Sequence, residues 1–196
     1  MARLPVLGAV KTRLARDVGA VAAARFYRHT CAALLRRLTA DPRWETLLAV
    51  APDTAVGARG WPSACRCMPQ GRGDLGRRMQ RILDRSPRGP VLIIGSDIPG
   101  VRPAHLWAAF RSLGRCDVVL GPACDGGYWL AGARRTPRVP RPFAGVRWSS
   151  PHALADTQAN LGEAAVAFVD RLRDVDDGAD YAETAAIRGR TVIPSP

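Results

Sequence analysis

Pro90-Val91-Leu92-Ile93-Ile94-Gly95, closing on Ser96-Asp97, is the clearest buried strand in the chain. An unbroken apolar run of this length, without polar alternation, marks a strand covered on both of its faces. The neighbouring segments supply the cover. A helix is predicted just before it, near Arg77–Asp84, and another just after it, over Pro103–Leu113, with Pro103 suited to a first turn. Further out, Leu47–Ala51 is a short apolar run ended by Pro52, Asp117–Gly121 a second buried strand and Tyr128–Ala131 a shorter one. Thr191–Ile193 is a candidate last strand. A long helical pattern runs from about Val18 to Thr39, and helices are predicted near Pro151–Leu161 and Gly178–Arg188. Met1–Leu14, with Pro5 and Gly8, reads as a loop running into a helix.

Strands alternating with helices predict an α/β fold: a mainly parallel sheet with helices on both faces, three layers in all. Ligands in such sheets bind beyond the carboxyl ends of the strands, so Asp97 is the first residue to inspect. The 196 residues fit one domain, and 47% hydrophobic with 23% charged residues is ordinary for a globular chain. No segment is long and apolar enough to span a bilayer and no signal-peptide core is present, which predicts a cytoplasmic protein with no membrane partner. Five scattered cysteines (Cys31, Cys65, Cys67, Cys116, Cys124) lack the second pair or the histidines of a zinc site and read as reduced structural thiols.

The formal net charge is +12, from 29 basic and 17 acidic residues. Such an excess attracts polyanions, nucleic acid included, but the arginines are dispersed and only 6% of residues are aromatic, too few for base-stacking platforms. Lys11 is the only lysine among the 29. In a chain that uses arginine everywhere else, it marks a place for a compact ammonium against a phosphate, which a planar guanidinium serves less well.

Five segments could carry chemistry. Pro5-Val6-Leu7-Gly8-Ala9-Val10-Lys11-Thr12-Arg13 is a glycine-containing loop entering a helix, with Lys11 and Arg13 as cations for a phosphate. It is not a P-loop, because Val10 and Pro5 stand where that pattern needs glycine. Asp97, at a strand end and stiffened by Pro99, suits a hard divalent cation. Asp125-Gly126-Gly127 allows a tight turn and a close backbone approach, either as a plain hairpin or as a ligand loop. Gln70-Gly71-Arg72-Gly73-Asp74-Leu75-Gly76 brings backbone groups within reach of something flat, such as a base edge. Asp174-Val175-Asp176-Asp177 precedes a helix and reads first as capping, with a metal role second. Templates for serine hydrolases, zinc proteases and dinucleotide-binding folds are missing, and His29, His105 and His152 have no evident carboxylate partner.

Six words, five of them overlapping these segments, resemble one family when taken in order. They are Pro5-x-x-Gly8-x-x-Lys11-Thr12-Arg13-Leu14, Gly73-Asp74-Leu75-Gly76-x-x-Met79, Ile94-Gly95-Ser96-Asp97-x-Pro99, Gly121-Pro122-Ala123-x-Asp125-Gly126-Gly127-Tyr128, Phe143-x-x-Val146-x-Trp148-Ser149 and Asp174-Val175-Asp176. The chain looks like a GT-A-type nucleotide-diphospho-sugar transferase of the radical-SAM/selenodomain-associated, or arsenosugar-biosynthesis, branch. The resemblance implies a Rossmann-like sheet with a nucleotide-binding half over 1–121 and an acceptor-side half over 122–196. It implies that Lys11 and Arg13 neutralise a diphosphate, with Gly8 shaping their loop, and that Gln70, Gly73, Leu75 and Gly76 line the base pocket. Asp97 would hold Mg²⁺ or Mn²⁺, Asp125 with Gly126 and Gly127 would shape the sugar or acceptor site, and Trp148 and Ser149 would close over the acceptor. Glycosyl transfer from a nucleotide sugar to a small-molecule acceptor is the implied reaction. Its rivals are nucleotidyl transfer from a nucleoside triphosphate to a phosphorylated acceptor, a catalytically silent transferase fold, and a basic nucleic-acid-binding module. The whole reading requires Lys11 and Asp97 to face one pyrophosphate across a crevice.

In one respect the sequence departs from that pattern. A central strand should precede the first phosphate loop, yet Met1-Ala2-Arg3-Leu4 leaves no room for one. A longer form with an apolar strand upstream is therefore expected, since losing a buried central strand costs several kcal/mol of a typical total of about 5–15 kcal/mol.

Overall fold

The computed structural model describes residues 1–62, 65–136 and 139–190. The predicted strand Thr191–Ile193 lies outside them. Fourteen elements follow in chain order: β1 (Ala2–Arg3), α1 (Thr12–Val18), α2 (Ala20–Thr39), β2 (Leu47–Ala51), a short 3₁₀ turn (Asp53–Gly57), β3 (Arg66–Pro69), α3 (Leu75–Arg85), β4 (Pro90–Ile94), α4 (Pro103–Ser112), β5 (Val118–Pro122), β6 (Tyr128–Arg134), α5 (Ala153–Ala159), β7 (Val166–Phe168) and α6 (Gly178–Arg190). The fold is α/β, as the alternation requires.

The strands form two sheets, one of order β1-β2-β3 with parallel pairs, the other of order β4-β6-β5-β7. In the second sheet β6 runs antiparallel to both β4 and β5, and β7 returns parallel to β5. Both faces are covered. Met79, Ile82 and Leu83 of α3 pack with Ile93, Leu120 and Ala131 on one side. Leu34 and Leu38 of α2 and Leu106 and Ala109 of α4 pack with Val119 and Leu130 on the other. Alternate residues of β5 thus serve opposite layers, as pleating dictates.

The opening segment supplies two residues of first strand where the sequence left no room for one. Ala2 lies opposite Val50 and Arg3 opposite Ala51, so a two-residue strand sits against the carboxyl end of β2. On its other side the Met1 nitrogen donates to the Ile94 carbonyl, at 2.7 Å, which ties this strand to the end of β4. These neighbours on either side fix the direction in which the following loop leaves. β3 and β7 were not expected either. β3 contains Arg66 and ends on Pro69, and β7 has three residues of which Phe168 is half-exposed. The long helix begins at Ala20 and not at Val18, because Gly19, at φ 85°, separates it from α1.

Gly76 belongs to the first turn of α3, where glycine is ordinarily worse than alanine by about 1 kcal/mol. Here a Cβ would fall 2.9 Å from the Trp148 ring and still closer to the Phe143 carbonyl. Gly76→Ala is therefore expected to lower stability by about 1–2 kcal/mol, the crowding outweighing the gain in helix propensity. Chemical denaturation measures this; an alanine variant more stable than the parent would contradict the packing.

Candidate active site

A cleft of about 810 Å³ opens at the carboxyl ends of β1, β3 and β4. Lys11 anchors it. The residue stands at the start of α1 with φ 49° and ψ 49°, a left-handed conformation that few side-chain-bearing residues adopt. Its Nζ lies 2.7 Å from Asp97 Oδ2 and 2.6 Å from Asp176 Oδ1, and its side chain is only 6% exposed. Burial alone would pull the ammonium pKa down, but Asp97 and Asp176 outweigh it and hold the group above its ordinary value. Arg13, two residues on, is open to solvent, with Nη1 3.6 Å from Asp176 Oδ2.

Three carboxylates converge beside this pair. Asp125, Asp174 and Asp176 each place one oxygen within 4.8 Å of the others. Burial, and then the charges of Asp176, Asp125 and Asp97, push the Asp174 carboxyl up to about 6. Asp125 is positioned by its own turn, where the Gly127 N–H donates to Oδ1 at 2.9 Å. Asp174 and Asp176 flank Val175, which is 1% exposed, so the chain is pinned by its middle residue while both carboxylates border the cleft. The acidic run divides its labour. Asp177 does cap α6, accepting from the Asp180 N–H at 3.0 Å, whereas Asp176 turns to Lys11. Capping, the first reading of this run, holds for Asp177, while Asp174 and Asp176, absent from the expected site residues, border the cleft. The apolar residue between two acids was the available signal.

Tyr27 went unnoticed for a different reason, being one of many apolar positions on a long helix. Its hydroxyl accepts from the Arg3 N–H at 2.8 Å and meets Ser96 Oγ at 2.9 Å, joining β1 to the loop that carries Asp97. Burial pushes the phenol up to about 12.

The other expected residues distribute unevenly. Gly73, Leu75, Gly127, Trp148 and Ser149 line the cleft, as does Gln70, whose amide donates to the Ala2 and Ala49 carbonyls at 3.0 Å each. Gly8, Gly76 and Gly126 do not line it. Gly76 is the packing glycine described above, and Gly126, at φ 84°, backs onto the Pro151 backbone. Trp148 stands edge-on to Tyr128, with ring centres 6.2 Å apart, and both rings line the cleft. The five cysteines are free thiols, and burial pushes Cys31 up to about 11. No described helix is long and apolar enough to cross a membrane.

Residues 34–150 match a family described as an uncharacterized protein conserved in bacteria, DUF2064. The chain belongs to the DUF2064 family. The DUF2064 match takes in Asp97, Asp125 and Trp148, while Lys11, Asp174 and Asp176 lie outside its bounds. No curated protein matches the sequence. Among solved structures, a "putative nucleotide-diphospho-sugar transferase" from Desulfovibrio desulfuricans G20 superposes on this DUF2064 protein with a TM-score of 0.87. The two are 27% identical over 97% of this chain and 87% of the other.

Proposed function

We propose that this DUF2064 protein is a transferase that holds a nucleoside-diphosphate sugar in the cleft and passes the sugar to a hydroxyl of a small acceptor. Membership of the radical-SAM/selenodomain-associated branch is part of the proposal and rests on the six sequence words. The observation that carries the reading is the meeting of Lys11, Asp97 and Asp176 within 2.7 Å in one cleft, beside a trio of carboxylates. Likeness to the Desulfovibrio protein adds support.

The donor set fits Mg²⁺ or Mn²⁺. Carboxylate oxygens are the ligands hard cations take, and the raised Asp174 pKa is what burial, with three further carboxylates close by, produces. Asp125, Asp174 and Asp176 would hold the ion, with Asp97 engaged by Lys11 beside them. Bound there, a divalent cation neutralises charge that builds on a departing diphosphate. Lys11 and Arg13 supply the remaining positive charge, Arg13 from the exposed side, where an incoming phosphate meets it first. Gln70, Gly73 and Leu75 border the space for the base. Tyr128 and Trp148 offer flat apolar faces to the ring of a sugar or acceptor.

The aromatic pair favours glycosyl over nucleotidyl transfer. A phosphorylated acceptor would have to be met by Arg3 or Arg78, the other arginines of the cleft, since Arg147, next to Trp148, is committed to Asp156 through contacts of 2.7 and 2.9 Å. Calorimetric titration with UDP-sugars, GDP-sugars and nucleoside triphosphates, each with and without Mn²⁺, tests the proposal. Metal-dependent binding of a nucleotide sugar and release of nucleoside diphosphate are expected. Pyrophosphate as the product would transfer the assignment to the nucleotidyl reaction, and no nucleotide binding at all would end both.

A further inference from the structure

Five carboxylates border the cleft: Asp74, which caps α3, and Asp97, Asp125, Asp174 and Asp176, two of which are paired with an ammonium that belongs to the protein. Asp176 is claimed twice, by Lys11 through Oδ1 and by the carboxylate trio. The Lys11 backbone holds a left-handed conformation at the head of α1, and the side chain lies against the two acids, almost wholly covered.

We propose that Lys11 is a resident counter-ion that competes with a divalent cation for Asp176, so that cation and nucleoside diphosphate load together. The proposal rests on the reading of the cleft given above. An ammonium 2.6 Å from a carboxylate oxygen already offsets its charge and repels a second cation brought to the same group. In the ligand-free protein Asp176 is therefore a poor metal ligand. A diphosphate carries more negative charge than either aspartate and offers Lys11 a better partner. As the ammonium turns toward the phosphates, Asp176 becomes available to the cation. Linkage then requires each ligand to raise the affinity for the other by the same factor.

Two measurements on the full chain test this. In a Mn²⁺ titration followed by electron paramagnetic resonance, Lys11→Met is expected to bind the ion about tenfold or more tightly than wild type without nucleotide. Lys11→Arg, which keeps the charge, is expected to stay close to wild type. UDP or GDP tightens Mn²⁺ binding in wild type and does so by a smaller factor in Lys11→Met. The second measurement uses wild type alone and so stands even where Lys11→Met does not fold. Lys11 is the only lysine, and ¹⁵N labelling of lysine side chains yields a single ammonium resonance. That resonance is expected to stay in place with Mg²⁺ alone and to move when UDP or GDP is added with Mg²⁺. Equal Mn²⁺ affinity in wild type and Lys11→Met, or a lysine signal indifferent to the diphosphate, overturns the competition while leaving the transferase reading intact. Failure of every form to take up Mn²⁺, even with nucleotide, removes the transferase reading and this inference with it.

Discussion

Asp176→Asn is expected to lower kcat/KM for sugar transfer by about 10²–10³-fold while the fold survives. One carboxylate carries three relationships: 2.6 Å to the Lys11 ammonium, 3.6 Å to the Arg13 guanidinium, and membership of the Asp125/Asp174/Asp176 trio. An amide keeps the size and loses the charge, so each relationship weakens together. Stability is not expected to suffer, since Lys11 retains Asp97 and the crowding that lifts Asp174 is relieved. Asp177→Asn makes the control. That residue caps α6 and lies off the cleft, so its replacement should cost no more than about 1 kcal/mol and leave transfer near the parent rate. Steady-state assays of nucleoside diphosphate release, with melting curves alongside, separate the two. An Asp176→Asn enzyme of undiminished kcat/KM would falsify the assignment of the cleft.

Trp129→Ala carries the largest expected loss of stability, about 3–5 kcal/mol. The indole is 3% exposed at the centre of the second sheet, and Gly121 on the paired strand is flat against it; a Cβ there would stand 2.6 Å from the ring. Its Nε1 donates to the Asp170 carbonyl at 2.9 Å. Asp170 begins the stretch that reaches Asp174 and Asp176, and the Leu172 N–H bonding the Pro122 carbonyl continues the attachment. Removing the ring therefore opens a core void and also loosens the segment that presents two of the trio's carboxylates. Trp129→Phe preserves much of the packing and forfeits the indole hydrogen bond, for a smaller loss of about 1–2 kcal/mol. Urea unfolding gives both values, and an alanine variant within about 1 kcal/mol of the parent would contradict this account.

Most of the sheet was legible in the sequence because its strands are covered twice. β2 and β4 read as continuous apolar runs for that reason, and β5 and β6 were placed to within a few residues. What escaped notice lies at the margins. β3 mixes Arg66 and Pro69 into four residues, β7 is three residues long, and β1 owes its two-residue existence to partners distant in sequence. The candidate site divides in the same way. Lys11 stood out as the lone lysine, and Asp97 by its place after a buried strand. Asp176 did not, because an acidic run before a helix is ordinarily a cap, and its neighbour Asp177 is one. Nothing local distinguishes Tyr27 from the other apolar positions of α2; its hydroxyl acquires a role only when the chain returns at Ser96.

The division of the sheet has a mechanical corollary. Lys11 closes the loop that leaves β1 in one slab of strands and Asp97 lies in the loop that leaves β4 in the other, so their ion pair is a rivet set across a joint. Slip between the slabs and the charge state at that rivet then rise and fall together. Deuterium uptake by amides along the joint, Ile94 to Ser96 among them, should quicken when either partner of the rivet is made neutral.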